Sequence, residues 1–287
     1  MQTNWTEIAN ELNYSIKNYV GLTKQIVQVR NRAHAYGIDP DHDEILTGKF
    51  DKTGKQKMQG LESIKGMAAR RISKVLKDFP IWNDWLEDVP GIGPAIAGQL
   101  VALYYFKSIP ICPKCNADLI DFICPICKSE AKGQGVLKYR TELREYPTIS
   151  SWWHQMGRHD VNGKIPKRSK KEEGEDNNKN AWSSVGRKIG FDIKESFNKQ
   201  PSTHKYKAYA EKRKRYREDT HPDTTKGHRH NMAWNEAIKL FLSHFWQVAH
   251  ILDGIDPLDI TQPWIIKHGG HDESSFIPPY YFNGQSG

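Results

Sequence analysis

The sequence predicts a mainly α protein in three parts. Residues 1–80 read as a helical hairpin or coiled-coil arm, residues 81–254 as a helical domain, and residues 255–287 as an irregular tail. Three observations predict this division. Two consecutive segments repeat apolar residues in steps of three and four. The run Val89-Pro90-Gly91-Ile92-Gly93-Pro94 sets glycines and prolines between helical stretches, which predicts a helix-hairpin-helix over 84–105. All four cysteines fall between positions 112 and 127, which predicts a small inserted ribbon over 107–135.

The first helix is expected over 4–36. Asn4 and Glu7 suit a capping pair, and Gly37 a stop. Trp5, Ile8, Leu12, Tyr19, Leu22, Ile26 and Val29 form its apolar stripe, interrupted at Ser15. A turn-rich stretch runs to Gly54, and a second helix is expected over 56–79, where Met58, Leu61, Ala68, Ile72, Val75 and Phe79 repeat the spacing. Such a pair is either an antiparallel hairpin or two ordinary core helices. In the hairpin at 84–105, glycines permit positive φ and let a backbone approach closely, while Val89 and Ile92 anchor the turn. The backbone N–H groups around Gly91, Gly93 and Pro94 then point at one spot and can hold a phosphate without reading a base. The alternative is a plain αα-turn. Further helices are expected over 148–157, 182–197, 204–218 and 231–252, and Trp264, Tyr280 and Tyr281 are candidates to pack the tail.

Cys112-Pro-Lys-Cys115 and Cys124-Pro-Ile-Cys127 are two pairs of ligand-spaced thiols. Two such turns complete a tetrahedral four-sulfur shell, so the expected cofactor is a structural Zn²⁺. Disulfides or an iron site would use the same residues. No apolar run reaches membrane-spanning length and the N-terminal residues do not form a leader, so the expectation is a cytoplasmic chain in a prokaryotic or viral setting, associated with the nucleoid.

Lysine and arginine number 42 against 34 acidic residues, a formal charge of +8. The excess is concentrated between Lys205 and Arg217, where Lys205, Lys207, Lys212, Arg213, Lys214, Arg215 and Arg217 face one acid, Glu211. A dense basic run attracts polyanions, and DNA is the expected partner; a solvated helix face is the alternative. Lys164, Lys167 and Arg168 lie in a polar stretch that reads as a basic loop. Asp39, Asp41, Asp43 and Glu44 cluster on one turn, which fits helix capping better than a two-metal centre. His228, His230, His244 and His250 are weighed as a second metal set; no spaced carboxylate or cysteine joins them, and His228, Arg229 and His230 read instead as surface or phosphate-contacting residues at a helix start. Trp152-Trp153 is either a base-stacking pair or one buried and one half-exposed ring.

The order of parts over about 60–252 resembles the C-terminal transposase domain of the DEDD-type, bridge-RNA-guided insertion-sequence transposases. It comprises a heptad helix, the Val-Pro-Gly-Ile-Gly-Pro hairpin, a short helix ending at Gly157, a basic loop, a helix with Trp182 and Arg187, a Tyr-rich basic helix, and a closing helix with Ala233 and Ala237. Family members carry an N-terminal RuvC-like nuclease, for which residues 1–80, read as helices without β-hairpins, leave no room. The resemblance implies a DNA-handling chain that works with a separate nuclease subunit and a guide RNA, and that associates with copies of itself through the arm. It also implies a serine nucleophile at Ser183, with Ser184 as alternative, and Arg187 and Lys188 to stabilise a reacting phosphate. An N-cap is the competing role for Ser183. The functional readings are therefore a DNA-binding transposase-like protein, a serine recombinase, or a scaffold for structured RNA.

Overall fold

A 31-residue helix, α1 (Trp5–Ala35), opens the chain. It ends where the sequence sets Gly37, at φ 68°. Gly37 N–H donates to His34 C=O and Ile38 N–H to Ala33 C=O, a Schellman closure that satisfies the last carbonyls. The computed structural model describes residues 5–120, 123–130, 138–159, 183–254 and 276–282. Asn4, Lys164, Lys167, Arg168, Trp182 and Trp264, all singled out above, lie outside the described residues.

The chain continues through a 3₁₀ turn, α2 (Glu44–Thr47), β1 (Gly48–Phe50), β2 (Gln56–Gln59), α3 (Leu61–Leu76) and α4 (Pro80–Asn83). Next come α5 (Pro94–Tyr105), β3 (Phe106–Ile111), β4 (Lys138–Leu143), α6 (Ile149–Gln155), α7 (Ser184–Asn198), α8 (Lys205–Thr220) and α9 (Lys226–Asp253). The protein is mainly helical, with two small antiparallel sheets. Contacts divide it into a first unit, 1–76 with 101–145, and a second, 77–100 with 146–287. The ribbon after α5 thus groups with the arm rather than with residues 81–254.

In the first unit α1 and α3 run antiparallel. Arg71 reaches Glu11 near the start of α1, while Arg30 reaches Glu62 at the start of α3. Leu12, Ile26, Ile72, Val75 and Leu76 are buried in this unit. Ser15, the break in the apolar stripe, is buried as well, and its hydroxyl has no hydrogen-bond partner among the described residues. The second helix starts at Leu61, not at 56. Gln56–Gln59 instead pairs with Gly48–Phe50 in a β-hairpin that the sequence reading did not foresee. Gly48 and Gly60 cross so closely that a Cβ on Gly60 would stand 2.3 Å from Gly48 N. That contact breaks the heptad run before α3. Asp51 closes the hairpin turn by accepting from Thr53 and Lys55 N–H. Asp39 and Asp43 cap the 3₁₀ turn and α2, the role the residue types favoured.

In the second unit α9 is the hub. It begins at Lys226, five residues before the expected start, because Thr225 caps it by accepting from His228 N–H. Trp85 stacks on Phe241 at 5.6 Å and Trp152 on Phe245 at 5.7 Å, while Phe197 and Tyr206 meet Phe241 edge-on at 5.4 and 5.3 Å. The segment 276–282 closes over this column. Trp85 Nε1 donates to Tyr280 C=O at 2.7 Å. His244, buried in α9, sits 2.9 Å from both Tyr206 Oη and Ile277 C=O. Because a carbonyl only accepts, Nε2 carries the proton and Nδ1 receives the Tyr206 hydroxyl.

Burial pulls His244 from 6.5 down to about 4, against the smaller opposing effect of the Ile277 carbonyl. The unfolded chain takes up this proton near 6.5 and the folded chain only near 4. Stability is therefore full above pH 6.5 and is lost as pH falls from there towards 4, by about 3 kcal/mol. Urea unfolding between pH 7.5 and 4.5 is expected to show this loss, and His244→Gln to flatten it; an unchanged slope in the variant would refute the assignment.

Candidate metal centre and nucleic-acid interface

β3 and β4 pair in register from Phe106↔Leu143 to Ile111↔Lys138 and carry the cysteines beyond their open end. Two copies of one local structure follow each other there. Cys112 N–H donates to Ala117 C=O and Asn116 N–H to Cys112 C=O; twelve residues on, Cys124 N–H donates to Ser129 C=O and Lys128 N–H to Cys124 C=O. Asn116 and Lys128 take positive φ, 59° and 56°, and bridges Ile111↔Asp118 and Ile123↔Glu130 close each copy. The repeat Ile-Cys-Pro-x-Cys-x-x-acid is legible at 111–118 and 123–130 once the turns are seen.

The result brings all four Sγ atoms within 4.8 Å of one another. Neighbouring sulfurs stand 3.4 to 3.8 Å apart. A tetrahedral ion with sulfur at about 2.3 Å would need edges of about 3.8 Å, so the set fits one ion. All four are free thiols, which sets the disulfide reading aside. Cys112 and Cys124 are buried, Cys115 and Cys127 exposed. The Ser129 hydroxyl lies 3.0 Å from Cys127 and 3.4 Å from Cys112. It is the main reason that Cys127 is lowered and Cys112 drops to about 6. At Cys115 the Ala117 N–H lowers the thiol, but the crowded sulfurs outweigh it and push it up to about 12. Full ionisation of the set therefore calls for a cation.

In the second unit, a 3₁₀ turn (Leu86–Asp88) leads through the Pro-Gly-Ile-Gly turn into α5. Val89 and Ile92 are buried, as their anchoring role requires. Gly91 alone of the two turn glycines takes positive φ, 91°. Its carbonyl accepts from Ser196 Oγ at 2.6 Å, and the Pro90 carbonyl accepts from His204 at 3.0 Å. Gly93 stands in open space: nothing lies within 4 Å of where its Cβ would be. Its carbonyl starts α5 by accepting from Ile96 and Ala97, while Gly93 and Ala95 N–H have no acceptor among the described residues. Pro94 follows at the first helical position.

The basic run of α8 is less of a stripe than its composition implies. Arg213 and Arg217 both pair with Glu236 of α9, Arg217 Nε at 2.9 Å. Lys207 Nζ donates to Asn198 and Gln200 carbonyls and closes the end of α7. Lys205 lies over the Tyr280 and Tyr281 rings. Lys212 and Arg215 are exposed and Lys214 is half-buried, so these three keep cations at the surface.

Ser183 caps α7, its Oγ accepting from Gly186 N–H at 3.1 Å. Ser184 is exposed in the first turn, with Arg187 half-buried and Lys188 exposed and paired with Asp192. Arg229 is tied to the His221, Pro222 and Thr224 carbonyls. The four histidines form no metal set; the four cysteines alone do so among the described residues. Trp152 is buried, and Lys239 covers the face of Trp153 at 4.3 Å, so neither offers an open ring. No described helix is long and apolar enough to cross a membrane. No family model, curated protein or solved structure matches the chain.

Metal analysis of the purified protein is expected to find about one ion per chain. Cys115→Ser should abolish retention and Ser129→Ala weaken it by about 10–100-fold; full retention by Cys115→Ser would refute the site. For the N-cap, Ser183→Ala should lower unfolding free energy by about 1 kcal/mol and Ser184→Ala leave it unchanged, read from denaturant midpoints.

Proposed function

We propose that this chain binds DNA by its phosphate backbone through the hairpin at 89–94 and the exposed cations of α8, and that its cysteines hold a structural zinc ion. The observation that carries the DNA reading is Gly93. Its N–H and that of Ala95 are unbonded at a helix start, with open space in front of the glycine. Backbone donors at a helix N-terminus hold a phosphate whatever the base. Lys212, Lys214 and Arg215 supply the counterion-releasing charge. Zinc is the reading for the metal because a closed set of four thiolates suits its structural sites. The order of motifs, which resembles that of bridge-RNA-guided transposases, supports transposition or recombination as the setting, with strand cleavage supplied by a separate nuclease subunit and a guide RNA as second partner.

Affinity for unrelated duplexes, measured by fluorescence anisotropy, should be similar and fall steeply with salt. Gly93→Asp is the sharpest variant. Aspartate is a favourable N-cap before Pro94 and meets no neighbour, so the fold is retained, while its charge repels the phosphate. Binding should drop at least about tenfold. Lys212→Gln and Arg215→Gln should each reduce the salt slope by about one. Wild-type affinity in Gly93→Asp, or strong preference for one duplex sequence, would overturn the proposal, and iron in place of zinc would overturn the metal assignment.

A further inference from the structure

A cavity of about 550 Å³ lies between α7 and α9 of the second unit, and the group on which it turns is Arg158. Nη1 of Arg158 donates to Asn235 Oδ1 at 3.1 Å, but Nε is buried with no acceptor, and no ion pair answers the charge among the described residues. Burial first, and the Arg187 charge second, pull the guanidinium down to about 10. An arginine held away from water beside another cation is unfavourable unless an anion joins them. The fold nevertheless makes room for it. A Cβ on Gly190 would stand 2.8 Å from Nη2 and 3.0 Å from Nε of Arg158, so the missing side chain of α7 is the space the guanidinium occupies.

Arg187, Lys188 and Lys194 stand around the same cavity. Lys188 is engaged with Asp192 and Lys194 donates to Asn231 Oδ1, so the cavity gathers basic side chains around Arg158. One wall is apolar: Trp234 is nearly buried, and Phe191 is 54% exposed. A phosphate offers several oxygens to the Arg158 guanidinium fork and to the neighbouring basic side chains at once. A ring wall beside a phosphate subsite suits a base.

We propose that this cavity receives a nucleoside phosphate, the phosphate on Arg158 with Arg187, Lys188 and Lys194 around it, and the base against Phe191 and Trp234. The phosphate part stands on the cavity alone; the choice of a nucleoside ester rests also on the nucleic-acid reading above. A free nucleotide and the unpaired end of a strand share this chemistry.

Isothermal titration of the full chain with adenosine monophosphate, inorganic phosphate and a 5′-phosphorylated single-stranded oligonucleotide separates these cases. The monophosphate should bind at least about tenfold more tightly than inorganic phosphate. Arg158→Gln and Gly190→Ala should each weaken it at least about tenfold, with thermal melting as the folding control. If Arg158→Gln does not fold, Gly190→Ala and Lys194→Gln carry the test. An oligonucleotide that binds more tightly than the monophosphate assigns the cavity to a strand end, and the reverse order to a free nucleotide; either supports the proposal. No binding of either ligand, or binding unchanged in Gly190→Ala and Lys194→Gln, overturns it, and equal affinity for inorganic phosphate overturns the nucleoside part. Duplex binding measured alongside keeps the two readings apart. Monophosphate binding without duplex binding removes the hairpin grip and leaves the cavity, and the converse removes only the cavity.

Discussion

The aromatic column along α9 is the constraint on which the second unit depends. From Ala233 to His250 this helix is buried on nearly every side, so its partners must cover apolar surface all round rather than on one stripe. They do so with rings: Trp85 ahead of the hairpin, Trp152 from α6, Phe197 from α7 and Tyr206 from α8 meet at Phe241 and Phe245. Indole and phenol groups bring polar atoms into that core, and three of them find partners there. Trp246 takes the Tyr146 carbonyl, Trp85 the Tyr280 carbonyl, and Tyr206 the His244 imidazole. The hairpin turn is held by the same system, since His204 and Ser196 of this packing reach the Pro90 and Gly91 carbonyls.

Charge follows a different logic in each unit. At the ribbon tip, four thiols are gathered within 4.8 Å of one another, an arrangement that suits a cation. On α8, by contrast, a run of cations is divided by helical periodicity. Arg213 and Arg217 turn inward to Glu236, Lys207 turns to the end of α7, and only part of the run keeps its field in solvent.

Much of this was legible in the sequence where a local rule decides. Gly37, Thr148 and Ser183 mark helix ends because caps act over one turn, and the cysteine pairs announce their centre because ligand spacing is short-range. What was not legible depends on partners far along the chain. Gln56–Gln59 carries an apolar residue at helical spacing, yet it is a strand because Gly48 and Gly60 approach within a backbone's width. The α8 arginines look solvent-facing until Glu236, nineteen residues beyond Arg217, is placed beside them. Arg158 gave no signal at all. Its sequence neighbours are ordinary, and its meaning comes from Gly190, whose lack of a side chain is silent unless the two are brought together.

The segment 276–282 has a bearing on how the chain matures. Its Ile277 and Tyr280 carbonyls are the partners of His244 and of Trp85, the latter 195 positions earlier. Until this segment docks, the buried Trp85 indole N–H and the Nε2 of His244 lack their acceptors. The second unit is thereby coupled to the docking of this segment. Without the docked segment two donors stand unsatisfied inside the second unit, which then opens more readily to proteolysis.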